Sequence, residues 1–331
     1  MRIICLSSEF QEMHPSLFNL GAKEFVTMFH DGRLQADGTK KSGLRTPLDD
    51  DMTVGFSGVL SAQSMFPVLS PDEMAGHYTE NDVAKAVRRG VITGEGGAWD
   101  IISKRVIAID EYQQRFIDFD SEIAAGKPVD FTDISDAIAA FIAFEWRSDN
   151  SPFDQYLKGS VTFDRETATG MDLFYGKAQC GTCHSGVFQT DHQFHAMGVP
   201  QIGPGKAARF ERHSQDIGRM RVTGKMEDAY AFRTPSLRNK VTLRLQKRSK
   251  IMTERKRYFL ILNLLKDDWI ALDDANEVNS ISNVVLKHDI VLDEKEIDNL
   301  VIFLNALTDS ESAEGRLGIP QTVPSGFDVD H

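Results

Sequence analysis

The run Gln179-Cys180-Gly181-Thr182-Cys183-His184 concentrates the donors of this chain into six residues. Two cysteines separated by two residues, with a histidine directly after, have the spacing that attaches a c-type haem. Each thiol adds across a haem vinyl group, and the two-residue gap lets both sulfurs reach one porphyrin edge. His184 then lies under the iron as its proximal ligand. Two other chemistries draw on the same donors. A redox dithiol also reads Cys-x-x-Cys, but it needs a strand before the motif and a βαβ pattern around it, and neither is visible here. A zinc site drawn from Cys180, Cys183, His192 and His195 would have eight residues between its pairs and two between its histidines. Both gaps are shorter than those of zinc fingers. With haem at the motif, His192 and His195 become polar residues over the haem edge or on a loop.

Positioning such a motif takes helices. Gly170-Met171-Asp172-Leu173-Phe174-Tyr175-Gly176 reads as a short helix whose aromatic face runs into the motif. The clearest periodic element is carboxyl-terminal: Asp293 can cap it, and Ile297, Leu300, Val301, Leu304 and Leu307 make one apolar stripe. That stripe is expected to pack across the helix leading into Cys180. Helical patterns also cover residues 82–89 and 98–109, separated by Gly94-Glu95-Gly96-Gly97. A strong helix is expected over residues 134–147, capped by Thr132 or Asp133, with Ile138, Phe141, Ile142 and Trp146 on its apolar side. Ser148-Asp149-Asn150-Ser151-Pro152 breaks it. No stretch alternates convincingly as a strand, and the class is mainly α.

At 331 residues the chain is long enough for one large domain or two ordinary ones. No apolar run approaches a membrane span. The net charge of −12 argues against nucleic acid and anionic membrane surfaces as partners. Cys5 is the one cysteine outside the motif, so no disulfide framework is implied. Haem c attachment takes place outside the bacterial cytoplasm, which calls for an export signal. The first ten residues have too short an apolar run and an early acid, so they are not one, and the amino end is expected to be incomplete. Residues 240–257 carry eight basic residues against the single acid Glu254, a block of +7 that leaves −19 for the rest. Such a run is a solvated basic face or a docking patch for an acidic electron carrier.

Further motifs make the chain resemble the bacterial di-haem cytochrome c peroxidases, including their relatives that mature methylamine dehydrogenase. They are Pro15-Ser16-Leu17-Phe18-Asn19, Phe29-His30-Asp31-Gly32-Arg33, Gln63-Ser64-Met65-Phe66-Pro67 with Pro71-Asp72-Glu73-Met74, Asp216-Ile217-Gly218-Arg219, and Phe232-Arg233-Thr234-Pro235-Ser236-Leu237-Arg238-Asn239. The resemblance covers residues 14–239 and resumes near 290. It implies two fused cytochrome-c-like domains, a peroxide-reactive haem in the first and an electron-accepting haem in the second. Cys180, Cys183 and His184 match the second haem site. Glu73 matches the acid/base glutamate of the peroxide site and Gln63 the glutamine near it. A carboxylate there can move a proton between the two peroxide oxygens, so that one leaves as water. The resemblance further implies hydrogen peroxide as substrate, a small cytochrome or copper protein as electron donor, a periplasmic location and calcium between the domains.

The pattern is departed from in three places. No Cys-x-x-Cys-His precedes Pro15, and His14 is a poor match for the histidine on the other face of that haem. His30 stands where the family carries a tryptophan, and a histidine is a poorer stepping stone for an electron hole than an indole. After Asn239 the basic block replaces a Pro-Tyr-x-His-x-Gly segment, and agreement returns only at the terminal helix and Gly315-Arg316-Leu317-Gly318-Ile319-Pro320, as a local reading-frame slip would produce. Met13 falls where an asparagine ligand of the calcium is expected. The expected organisation is therefore an incomplete amino-terminal peroxidase-type domain over residues 1–157, lacking its haem-binding segment, a carboxyl-terminal cytochrome c domain over 158–310, and a tail over 311–331. One covalent haem is expected in this chain, against two in the family. Two functions remain open: a haem c peroxidase, or a mono-haem electron-transfer protein or non-catalytic remnant.

Overall fold

The short polar stretches between apolar runs become turns, and the longer periodic ones become helices, in a computed structural model that describes residues 16–71, 73–198, 216–239, 279, 283 and 290–329. The expectations for Cys5, Met13, His14 and the basic block 240–257 lie outside the described residues. The chain divides into two compact units. The amino-terminal unit comprises Leu20–Met28, Arg33–Arg147 and Glu314–His331. Of the described residues, the carboxyl-terminal unit comprises 16–19, Phe29–Gly32 and those within Ser148–Ala313.

The amino-terminal unit opens with a three-stranded antiparallel sheet, β1 (Thr27–Met28), β2 (Leu34–Ala36) and β3 (Leu44–Arg45), paired in chain order. Strands of two or three residues are too short to show a period-two pattern, so the sequence did not reveal them. Seven helices follow: α1 (Val59–Gln63), α2 (Met65–Leu69), α3 (Asp82–Arg88), α4 (Ala98–Ile107), α5 (Asp110–Phe119), α6 (Ser121–Ala124) and α7 (Phe131–Glu145). Helices α3 and α4 match the two expected helical stretches to within two residues. Helix α7 starts earlier than expected, because Asp130 rather than Thr132 or Asp133 is its cap. The Asp130 carboxylate accepts the Thr132 N–H at 2.7 Å, and the Asp133 carboxylate accepts the Asp130 N–H at 2.8 Å.

The face that α7 buries also differs from the expected one. Phe131, Thr132, Ser135 and Ala139 are buried, while Ile138 and Phe141 are 41% and 44% exposed. Ser64 of the α1–α2 junction donates to Ser135 at 2.8 Å, and Ser57 donates its N–H to Asp136 at 3.0 Å. Small polar residues thus let α7 approach α1 closely, and the side chains too large for that contact turn outward. Trp99 stacks on Phe131 with centroids 5.1 Å apart, and Phe56 meets Trp99 edge-on at 5.6 Å.

The carboxyl-terminal unit holds α8 (Pro152–Leu157), α9 (Arg165–Tyr175), a short 3₁₀ turn at Cys180–Thr182, β4 (Phe194–His195), α10 (Met220–Thr223), β5 (Phe232–Arg233) and α11 (Glu294–Asn305). A last short helix, α12 (Ser310–Glu314), follows. Strands β4 and β5 pair antiparallel, Phe194 opposite Arg233 and His195 opposite Phe232. The expected packing of the terminal helix is present: α11 lies against α9. Asp293 caps α11 by accepting the Glu296 N–H at 2.8 Å, and the Glu296 carboxylate accepts the Asp293 N–H at 2.9 Å. Ile297, Leu300 and Phe303 of α11 are buried, with Leu307 just beyond its end, and half-buried Leu304 packs against the same cluster; Phe303 is the member the expected stripe did not contain. Phe303 is fully buried and meets Phe153 and Phe174 at 5.6 and 5.2 Å. The helices come this close at Gly170, where an added Cβ would collide with the backbone carbonyl of Asn299. Among the described residues no helix is long and apolar enough to cross a membrane.

Candidate haem-binding site

Helix α9 delivers the chain to the cysteine motif. Ala178, buried, donates its N–H to Leu173 O at 2.8 Å and closes the end of the helix. Gln179 then takes a left-handed backbone, φ 54°, which turns the chain into the 3₁₀ turn. The His184 N–H donates to Cys180 O at 2.9 Å, so both sulfurs and the imidazole leave one tightly wound turn. Gly181 fills the first variable position because the Tyr175 ring lies over it; a Cβ there would stand 2.5 Å from the ring.

Each donor has a distinct environment. Cys180 packs against the α9–α11 core, and burial pushes its thiol up to about 11. Burial, with the Asp191 carboxylate nearby, also raises Cys183. Both are free thiols, protonated at neutral pH, the form that adds S–H across a vinyl double bond. His184 Nδ1 lies 3.0 Å from Gln189 O. That carbonyl can only accept, so Nδ1 carries the proton and Nε2 keeps the lone pair a metal needs. Two thiols and an Nε2 lone pair on one turn, beside an apolar wall, are the donor set of a c-type haem, and the residues fit that group.

The alternative zinc grouping is brought together only in part. Cys183 and His195 converge, and Asp191 joins them, with their ligand atoms within 4.8 Å of one another. Cys180 and His192 are not in that group. His195 Nε2 lies 2.7 Å from an Asp191 carboxylate oxygen. Burial works against the Asp191 carboxylate, but the Gln193 N–H and the side chains of His195 and Thr234 hold it below the usual range. Asp191 had no motif to mark it; only the antiparallel pairing of β4 with β5 makes its position legible. His192 sits at φ 57° and donates its N–H to Thr190 Oγ1 at 3.0 Å.

His30 lies in the same unit and contacts Asp216 at 2.6 Å and the Phe232 ring at 5.8 Å. Burial opposes the Asp216 charge, but His30, the Gly218 N–H and the Arg221 charge together lower the carboxyl below its ordinary value. Arg219 is buried, donates to the carbonyls of Gly32 and Asp31 at 2.9 and 3.3 Å, and lies 4.4 Å over the Phe194 ring. Arg233 donates to Phe29 O at 3.1 Å. Motifs far apart in sequence therefore converge around β4 and β5. In the amino-terminal unit, Gln63 ends α1 half-buried, and Glu73 lies on an exposed turn after α2, its N–H donating to Ser70 O at 3.2 Å. Among the described residues no hydrogen bond joins Gln63 to Glu73.

Solved structures that share this architecture include a MauG-like protein and a diheme peroxidase. A MauG-like protein associated with microbial copper homeostasis superposes with a TM-score of 0.53 at 23% identity, over 85% of this chain and 77% of that one. The diheme peroxidase BthA from Burkholderia thailandensis superposes with a TM-score of 0.51 at 19% identity, over 92% and 70%. The fold is thus that of the diheme peroxidases. Residues 6–162, a little under half of this chain, match the sequence model of the di-haem cytochrome c peroxidases. It is 28% identical to the methylamine utilization protein MauG of Methylorubrum extorquens over 189 residues, 56% of this chain and 43% of the relative. It is 35% identical to the cytochrome c551 peroxidase of Pseudomonas aeruginosa over 116 residues, 35% of this chain and 32% of the relative. The chain spans less than half the length of each of these curated relatives.

Proposed function

We propose that this chain is a haem c protein of the peroxidase lineage, taking electrons at Cys180-Gly181-Thr182-Cys183-His184 from a small cytochrome or copper protein for the reduction of hydrogen peroxide. The observation that supports this reading best is the 3.0 Å contact of His184 Nδ1 with Gln189 O, which leaves Nε2 as the ligand nitrogen beside the two thiols. A bound haem would supply a one-electron carrier at this turn. The chain's own residues hold it: Cys180 and Cys183 as thioethers, His184 as axial ligand, the α9–α11 core as an apolar wall. Gln63 and Glu73 are proposed as the peroxide-side residues, Glu73 moving the proton that lets one peroxide oxygen leave as water. The periplasm is the matching compartment, since thioether attachment takes place there.

A second reading, a mono-haem electron-transfer protein, is favoured by the exposure of Glu73. The deciding measurement is a haem count per chain by alkaline pyridine spectroscopy on periplasmically expressed protein. One covalent haem is expected. Haem staining that survives in a Cys180→Ala/Cys183→Ala double variant would remove the site.

A further inference from the structure

The loop after the motif is held by a second segment, and that arrangement reaches the axial ligand. The Gln189 carbonyl that accepts from His184 shares a peptide plane with the Thr190 N–H, which donates to Ser185 O at 2.8 Å. The Asp191 N–H closes back on Cys183 O at 2.8 Å. Gln189 itself is buried at φ 48°, a left-handed backbone that a glutamine adopts only under restraint. The restraint comes from residues 234–238. Arg238 donates to Val187 O through both Nε, 2.9 Å, and Nη2, 2.7 Å. Ser236 Oγ donates to Phe188 O at 2.7 Å, and Thr190 Oγ1 donates to Thr234 O at 2.7 Å.

Arg238 can act as a fixed point because it is itself held on its other side. It is 2% exposed, it donates to Ser151 Oγ at 3.0 Å, and it pairs with Asp154 at 3.0 Å. Its guanidinium lies 5.3 Å from the Phe153 ring centroid. Ser151 and Asp154 form the capping box of α8, so the arginine ties the loop to a helix end rather than to another loop.

We propose that Arg238 and Ser236 are positioning residues for the axial histidine: by fixing the carbonyls of residues 187 and 188 they aim the carbonyl of residue 189 at His184 Nδ1 and so set the electron-donating strength of the ligand. This rests on the haem reading above. A hydrogen bond from Nδ1–H to a fixed carbonyl gives the imidazole partial imidazolate character, which stabilises the ferric state. Loosening the carbonyl weakens that bond and raises the midpoint potential.

The test compares wild type, Ser236→Ala, Arg238→Lys and Lys177→Ala, the last altering a surface ion pair with Glu296 that does not touch the loop. Haem staining on a denaturing gel and potentiometry are read on the haem-bearing proteins. The tautomer of His184 is read by ¹⁵N NMR on the haem-free chain. Wild type and Lys177→Ala are expected to share one potential and a single Nδ1–H tautomer. Ser236→Ala is expected to keep its covalent haem, shift the potential upward and mix the tautomers, with Arg238→Lys shifting further. Potentials and tautomers unchanged in both loop variants would overturn the proposal, as would an equal shift in Lys177→Ala. If Arg238→Lys fails to fold, Ser236→Ala decides alone. A wild type without covalent haem would instead refute the haem reading, and the tautomers of the haem-free chains would still decide the positioning role.

Discussion

Cys180 and Cys183 differ in depth, and that difference is measurable without haem. Only the thiolate is nucleophilic, so a thiol pushed up to about 11 has on the order of one part in 10³ reactive at pH 8. In the haem-free chain iodoacetamide should therefore label Cys183 before Cys180, and labelling of Cys180 should keep accelerating as pH rises toward 11. Equal rates at pH 8, read by peptide mass mapping, would place Cys180 in water rather than against the core. The same scale separates the histidines. His184→Ala should disturb the ferric spectrum of the haem-bearing protein far more than His192→Ala or His195→Ala, because His184 alone rides on the turn that carries both sulfurs. A larger effect from His195→Ala would move the metal to the Cys183, Asp191 and His195 cluster.

At the scale of elements, the contact of α9 with α11 supports the motif. Phe303 sits between Phe153 and Phe174 with no exposed surface, so Phe303→Ala should cost about 3–5 kcal/mol by denaturant unfolding. Asp293→Ala removes one cap and should cost about 1 kcal/mol. A cost for Asp293→Ala as large as that for Phe303→Ala would mean the cap, not the packing, holds α11. The amino-terminal unit has its own closing contact. Glu145 is buried, accepts the Leu317 N–H at 2.7 Å and lies where a Cβ on Gly315 would meet it at 2.5 Å. Arg316 donates to Arg147 O at 2.7 Å. The motif beginning at Gly315 thus serves to seat the chain after α12 on the end of α7.

For the whole molecule the question is turnover. The amino-terminal unit carries Gln63 and Glu73, and the carboxyl-terminal unit carries the Cys-x-x-Cys-His motif. Purified chain with one haem should oxidise a reduced donor with peroxide no faster than a simple mono-haem cytochrome with an open iron, and Glu73→Gln should change nothing. With an amino-terminal extension supplying a second Cys-x-x-Cys-His, turnover should appear, and Glu73→Gln should lower it by roughly 10²-fold, the scale of losing an acid/base group. Turnover by the chain as given that Glu73→Gln abolishes would show peroxide chemistry beside Glu73 without a second Cys-x-x-Cys-His.

The sequence by itself carried the Cys-x-x-Cys-His spacing, the helical class, the capped terminal helix and the likeness to the di-haem peroxidases. Each is a local pattern: a fixed spacing of donors, a 3.6-residue period, a carboxylate three residues before its partner. Tertiary structure decided what local pattern cannot carry. The buried face of α7 was set by which residues are small enough for α1 to approach, so Ser135 went inward and Phe141 outward. The two-residue strands had no period to read. The partnerships of Asp191 with His195, of His30 with Asp216, and of Arg238 with the carbonyl of Val187 join residues from 4 to 186 positions apart. The two distant pairs cost chain entropy that is repaid only once the intervening chain has packed, so no short window of sequence contains both the cost and the return; Asp191 and His195 are near in sequence, but no motif marks them as a pair.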